Sequence, residues 1–520
     1  MKIDGLIKKH MTVGLLISIL IFGFIFRIYG VGQIPPGFFA DEASIGYNAY
    51  TLLHNGADEY GNKFPILFES FGGSFYRPGI SVYLTAPFVA LFGLNESSIR
   101  LSSVLVGTLT ILSLFLLAKL IFSSTSVGIF SAFFLAISPW HIHFSRINQE
   151  FVYMVFFLTL SIYVFLLSIK KQNQILLSLS LLLFGLSLYT YVVAYFLIPL
   201  ILIILFLIHR KYLLHLKKGF AFGFFILLIV STPLLRGIES GKTFSRLNQL
   251  STTNQSKTQS EIIIGMLNTY KDHFMPEFLF QKGDIGYHSH FITRFSPRGI
   301  GELYWIQLPL IIFGLFYAFK KNKKSALLIT GLLLMYPLGS STVPFADGGG
   351  PFAMRSIIGV IPFQILSALG IIFIYSILKN NFYKFVIVGL IFISIFFSFK
   401  DYLHRYFVEY PLYSSDFWGW QYGARDIVNY FSKNQDKYDE LLMASEFNSP
   451  EIFFKFYSPT DCSKCRIGLP DSSYNPTINQ LFALTPNYLT SNPQFQMNVI
   501  KTIYYPNNTI AFEIGKVLKK

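Results

Sequence analysis

Apolar runs of bilayer length, separated by short polar or basic clusters, constrain this chain more than any other feature. A helix needs roughly 20 mostly apolar residues to cross the hydrocarbon core. Runs of about that size recur at 11–30, 99–122, 126–142, 151–169, 174–190, 192–208, 219–235, 303–319, 325–343, 355–377 and 383–399. With 52% of its 520 residues hydrophobic and only 13% charged, the chain lies outside the range of ordinary soluble domains. The expected fold class is a polytopic α-helical membrane protein with about 11 transmembrane helices. The first run follows Lys8 and Lys9 and has no small-residue cleavage site, so it reads as a retained span.

A net charge of +15 would suggest nucleic acid as partner of a soluble chain. Here the basic residues sit in clusters such as Lys170/Lys171, Lys217/Lys218 and Lys320–Lys324, all on one side of the expected spans. They set topology: that side is cytoplasmic, the N-terminus with it, and no nucleic-acid partner is expected. The run at 79–94 is short and carries Pro87, and a crossing there would break the charge pattern. It is expected to lie in the membrane interface or to re-enter it. The outer face then receives a first loop at 31–98, a long loop at 236–302, a Gly-rich loop at 344–354 and everything after 400. From 401 to 520 the apolar runs stop, and a small soluble extracytoplasmic α/β domain is expected. Its pattern gives helices near 419–433 and 449–457, a strand near 440–446 and a hairpin from 499–505 to 510–515.

The residues able to do chemistry gather on that outer face. Asp41 and Glu42 follow Pro35-Pro36-Gly37 directly after the first span, where carboxylates can act as general base or hold a divalent cation. Arg77 stands before Pro78 in the same loop. His141, His143, Arg146 and Glu150 share the next outer tip; Arg146 and Glu150 are four apart and could pair on a helix. The two histidines could bind a metal or simply sit at the interface. Arg294, Arg298 and Arg355 add outward guanidinium groups suited to phosphate oxygens, with Gly348–Gly350 allowing close backbone approach to an anion. His288 and His290 add candidate sugar or phosphate contacts. Cys462 and Cys465 could be half a zinc site, a redox pair or a local disulfide, the last being preferred on an oxidising face.

The order of these features resembles the GT-C glycosyltransferases of the protein O-mannosyltransferase and lipid A aminoarabinose transferase type. The resemblance rests on Asp41-Glu42 after the first span, Arg77-Pro78 before an apolar run ending Leu-Phe-Gly, Ser97-x-x-Arg100-Leu101, and Ser145-Arg146-x-x-x-Glu150, over roughly residues 10–400. It implies a GT-C-like catalytic domain at 1–400 that moves a sugar, with inversion, from a polyprenyl-phosphate donor to a protein, lipid or glycan acceptor on the outer face. It further implies Asp41 as base with Glu42 assisting, Glu150 in the place of the usual Asp, and contacts to the carrier phosphate by Arg77 and by Arg294 or Arg298; from their outward position, Arg146, Arg355, His141 and His143 are expected to contact substrate as well. A divalent metal is left open, and no other cofactor is expected. The rival reading is a transporter or flippase of a lipid-linked sugar, which would place polar residues deep inside the spans.

Overall fold

A computed structural model describes residues 2–73, 75–245, 257–284, 292–345, 349–459 and 462–520. His288, His290 and Gly348 lie outside the described residues. The chain opens with helix α1 (Lys2–Ile28), turns, and enters α2 (Ala40–Asn55). A short antiparallel hairpin of β1 (Leu67–Ser70) and β2 (Phe75–Pro78) leads to α3 (Ile80–Phe92). Then follow α4 (Glu96–Phe122), α5 (Thr125–Ile137), the short α6 (Pro139–Phe144), α7 (Glu150–Lys171), α8 (Gln174–Ser187), α9 (Ala194–Leu213) and α10 (Lys217–Glu239). After α11 (Gln259–Asp272) come α12 (Gln307–Lys321), α13 (Lys323–Met335), α14 (Val360–Ile377) and α15 (Asn381–His404).

Each apolar run read from the sequence holds one of these helices. Among the described residues, seven helices are long and apolar enough to cross a membrane. The others are shorter, α3 among them at 13 residues. Phe385, Phe396 and Phe397 on α15 stand exposed, an apolar surface that suits lipid. Where α12 crosses α14, Gly314 lies against the Leu366 carbonyl and Gly370 against that of Leu310, so a β-carbon at either place would collide with backbone. Small residues allow this approach, as is usual where helices pack in a membrane.

Beyond residue 400 the helical path continues without a break, through a π-helical turn to Tyr413. The remaining elements are α16 (Ala424–Asn434), β3 (Glu440–Met443), α17 (Glu451–Tyr457), β4 (Cys465–Ile467), β5 (Gln480–Leu484), β6 (Phe495–Tyr504) and β7 (Ile510–Lys519). The strands form one mixed sheet in the order β4-β3-β5-β7-β6, with β3 parallel to β4 and β5, and β7 antiparallel to β5 and β6. Cys462 and Cys465 are joined in a local disulfide. This layer shares one apolar core with α2 and α3: Phe456 of α17 packs on Phe38 with ring centroids 4.8 Å apart, beside Ala43, Ile99 and Ile427. Lys455 reaches Glu59 at 2.7 Å and Arg425 reaches Glu96 at 3.0 Å across the same seam.

Three buried arginines fix the turn between α1 and α2. Arg27 donates to the Leu135 and Ala136 carbonyls at the end of α5, both at 3.1 Å. Arg146 donates to the carbonyls of Phe26 and Ile34, both at 2.8 Å. Arg100 forks onto both Glu42 oxygens at 2.8 Å each and also donates to the carbonyls of Val31, Pro35 and Gly37 at 3.0–3.1 Å. The fixed planar donor set of arginine suits such multiple acceptors, and the bidentate carboxylate contact is its strongest form. Replacing Arg100 by Met would leave the Glu42 charge buried without its counter-ion, an expected loss of about 3–5 kcal/mol. Thermal unfolding in detergent is expected to show a lowered midpoint for Arg100→Met, recovered in large part by the double variant Glu42→Leu, Arg100→Met.

Candidate functional site

Asp41 and Glu42 are neighbours in sequence but diverge in space. Both lie in the first turn of α2, where carboxylates sit well against the positive end of the helix dipole. Successive helical residues point about 100° apart, so Glu42 turns inward to Arg100 while Asp41 faces a cavity of about 540 Å³. Glu150 reaches the same cavity from the first residue of α7, and Arg77 from strand β2. Arg294 and Arg355 come from the segments before α12 and α14. Five side chains remote in sequence thus line one space, three guanidinium groups facing two carboxylates.

Arg77 is the hub of the acidic end. It is 1% exposed, and its guanidinium meets Asp41 Oδ1 at 2.9 Å, Glu150 Oε1 at 3.2 Å and the Ser70 hydroxyl at 2.9 Å. Asp41 and Glu150 keep 25% and 14% of their side-chain surface open, so both stay reachable from the cavity. At the basic end, Arg294 lies over the rings of Phe39 and Phe295, 4.1 and 4.8 Å from their centroids, and donates to the Trp418 carbonyl at 3.0 Å. Arg355 lies 4.4 Å from the Phe352 centroid. Such cation–π seats hold a guanidinium in place. Phe417, Trp418, Gln421, Asn448 and Ser449 supply wall from the C-terminal layer.

The other residues singled out from the sequence lie elsewhere. Glu42 is fully buried in its ion pair and also accepts the Asn148 backbone N–H at 3.0 Å. Arg146 is held by α1 carbonyls and the ring of Phe407, 4.9 Å from its guanidinium. It does not pair with Glu150: α7 starts at Glu150 itself, so the four-residue spacing is not helical there. Arg298 is exposed and lies over Tyr413 at 4.3 Å. His141 accepts from Arg27 at 2.8 Å, and His143 lies 3.2 Å from the Tyr406 hydroxyl. Both are buried, and burial pushes the His143 imidazole down to about 3. Among the described residues, no three His, Cys, Asp or Glu side chains gather where they could hold a metal ion.

A second acid pair braces the basic end from behind. Ser296, two residues after Arg294, places its hydroxyl 2.6 Å from Asp284 and 2.7 Å from Glu302, and Asp284 also accepts the Ala353 backbone N–H at 3.0 Å. One hydroxyl hydrogen cannot serve two carboxyl groups, so one contact runs through a carboxyl proton. Glu302 carries it: burial, with Asp284 beside it, pushes this carboxyl well above its ordinary 4.5. The folded state therefore binds a proton that the unfolded chain has already lost. The stabilisation is complete below the ordinary carboxyl value and is lost as pH rises through the raised one. Thermal midpoints followed from acidic to alkaline pH are expected to fall for the wild type and to stay flatter for Glu302→Gln, which keeps a donor but cannot ionise.

Residues 77–235 match the family described as dolichyl-phosphate-mannose-protein mannosyltransferase. No curated protein matches the sequence. Among solved structures, the fold is similar to that of ArnT from Cupriavidus metallidurans bound to undecaprenyl phosphate, at TM-score 0.56 and 12% identity over 97% of each chain. It is also similar to the archaeal oligosaccharyltransferase AglB from Archaeoglobus fulgidus in complex with an inhibitory peptide and a dolichol-phosphate, at TM-score 0.57 and 11% identity. That alignment covers 87% of this chain but 64% of AglB, so the chain spans less than two thirds of that enzyme. The segment that holds Arg77 and Glu150 thus carries the family match, and the fold along nearly the whole chain is similar to that of ArnT and AglB.

Proposed function

We propose that this chain transfers a sugar from a polyprenyl-phosphate carrier to an acceptor hydroxyl or amine, on the extracytoplasmic face of a membrane. The observation that carries the reading is the convergence of Asp41, Arg77, Glu150, Arg294 and Arg355 on one cavity. A phosphate leaving group needs cations where its charge develops, and a neutral nucleophile needs a nearby carboxylate to take its proton. Both sets line this cavity. The lipid-phosphate ligands of the ArnT and AglB structures agree with a carrier of this class.

The residue roles follow from the groups that line the cavity. Arg77, shared by two carboxylates, is a positioning residue that fixes Asp41 and Glu150. The carrier phosphate falls to Arg294 and Arg355, seated on aromatic rings. In the transfer step, the acceptor atom bonds to the anomeric carbon from the side opposite the leaving group, with inversion. The bond from that carbon to the phosphate oxygen breaks and its electron pair leaves on the carrier phosphate. The acceptor proton passes to Asp41. Helix α3, between Arg77 and α4, would border the route by which the lipid carrier arrives.

In membranes supplied with polyprenyl-phosphate sugars, Asp41→Asn is expected to lower transfer by about 10²–10⁴-fold, the usual worth of a general base, with normal protein abundance. Unchanged transfer would remove Asp41 from the chemistry. Mass spectrometry of envelope glycans, lipids and proteins with and without the chain would identify the product.

A further inference from the structure

A polar side chain with no visible employment stands between two cavities. Gln421 is 3% exposed, and neither its amide oxygen nor its amide nitrogen has a hydrogen-bond partner among the described residues. Leaving both ends of a buried amide unsatisfied is unfavourable at each group. Its backbone is also in the left-handed region, at φ 53°, which costs a non-glycine residue further. The surrounding segment is well anchored: Trp420 N–H bonds to the Ser414 carbonyl at 2.7 Å, Tyr422 N–H to that of Ser415 at 2.9 Å, and the Trp420 indole donates to Tyr410 at 2.8 Å. The strained residue is therefore held in place by a rigid loop.

Gln421 lines the main cavity and also a second one, of about 490 Å³, between this loop and the C-terminal sheet. Phe417 and Trp418 line both spaces as well, so the two adjoin across this ridge. Their rings are 41% and 45% exposed and stand perpendicular, with centroids 5.0 Å apart. The second cavity adds Asp416, Glu446 and Asn487 to its wall. Glu446 accepts no hydrogen bond from a described residue.

We propose that the second cavity is the acceptor subsite, and that the acceptor is a saccharide. The proposal rests on the transfer reading above and names the class of molecule that receives the sugar. A pyranose offers an apolar C–H face to an aromatic ring and, around its edge, hydroxyls that both donate and accept. Exposed rings beside a few convergent polar groups match that pattern. The Gln421 amide, one donor end and one acceptor end, suits two adjacent hydroxyls, and the carboxylates take hydroxyl hydrogens. The saccharide end crosses Phe417 and Trp418 and presents its hydroxyl to Asp41.

The test uses the full chain purified in detergent, probed with an array of oligosaccharides of glucose, mannose, galactose and N-acetylhexosamines, and in parallel with an array of Ser- and Thr-containing peptides. Wild type is expected to bind a defined subset of the saccharides. Gln421→Asn, which tolerates the left-handed backbone but withdraws the amide, and Trp418→Ala are each expected to bind at least ten-fold more weakly, with unfolding midpoints near wild type. Asp41→Asn is assayed beside them for both binding and transfer. If it bound normally yet also transferred sugar normally, the transfer chemistry would fall while this subsite stood. No saccharide bound by wild type, or binding unchanged in both cavity variants, would overturn the proposal. Peptide binding lost in Gln421→Asn would overturn it in favour of a protein acceptor.

Discussion

The ion pair between Glu42 and Arg100 underlies the placement of everything else in the site. It is fully buried and bidentate, and the same guanidinium gathers three carbonyls of the turn that precedes α2. A charge so deep is tolerable only because each of its hydrogens meets an acceptor. The result is a helix start that cannot rotate. Asp41, one residue before Glu42, therefore faces the cavity in a single direction, and Arg77 finds it there.

The same economy governs the cations of the cavity. Arg77 is fixed by carboxylates, whereas Arg294 and Arg355 rest on aromatic faces. A ring contributes a quadrupole and no net charge to such a seat. The buried Glu302 and Asp284 tie the Arg294 segment to the segment bearing Arg355 through Ser296 and the Ala353 backbone.

The fold was legible where hydrophobic length decided it: the apolar runs became helices, and the short run with Pro87 became the 13-residue α3. Alternation in the tail likewise anticipated the β6–β7 hairpin. The five cavity residues were visible as outward charges in an otherwise apolar chain. Their division of labour was not, because charge type in a sequence does not say whether a residue faces a partner or a ligand. Glu42 and Asp41 look equivalent in sequence and differ by about one helical step of 100°. Arg146 and Glu150 have helical spacing across a helix start, so the inference from spacing did not apply. Gln421 and Trp418 carried no signal, since an unpaired buried amide is visible only once its neighbours are placed.

Arg294 has one further consequence. Its guanidinium donates to the Trp418 carbonyl, and its own carbonyl accepts from the Tyr410 hydroxyl at 2.5 Å, so residues beyond 400 hold both ends of a cavity cation. The charged groups of the site all precede residue 400 in the chain, yet the segment that follows completes their arrangement. The C-terminal layer is thus a wall of the cavity rather than a passenger. Any change that reshapes the cavity would have to preserve the rim at Tyr410 and Trp418 while remodelling the surface behind it.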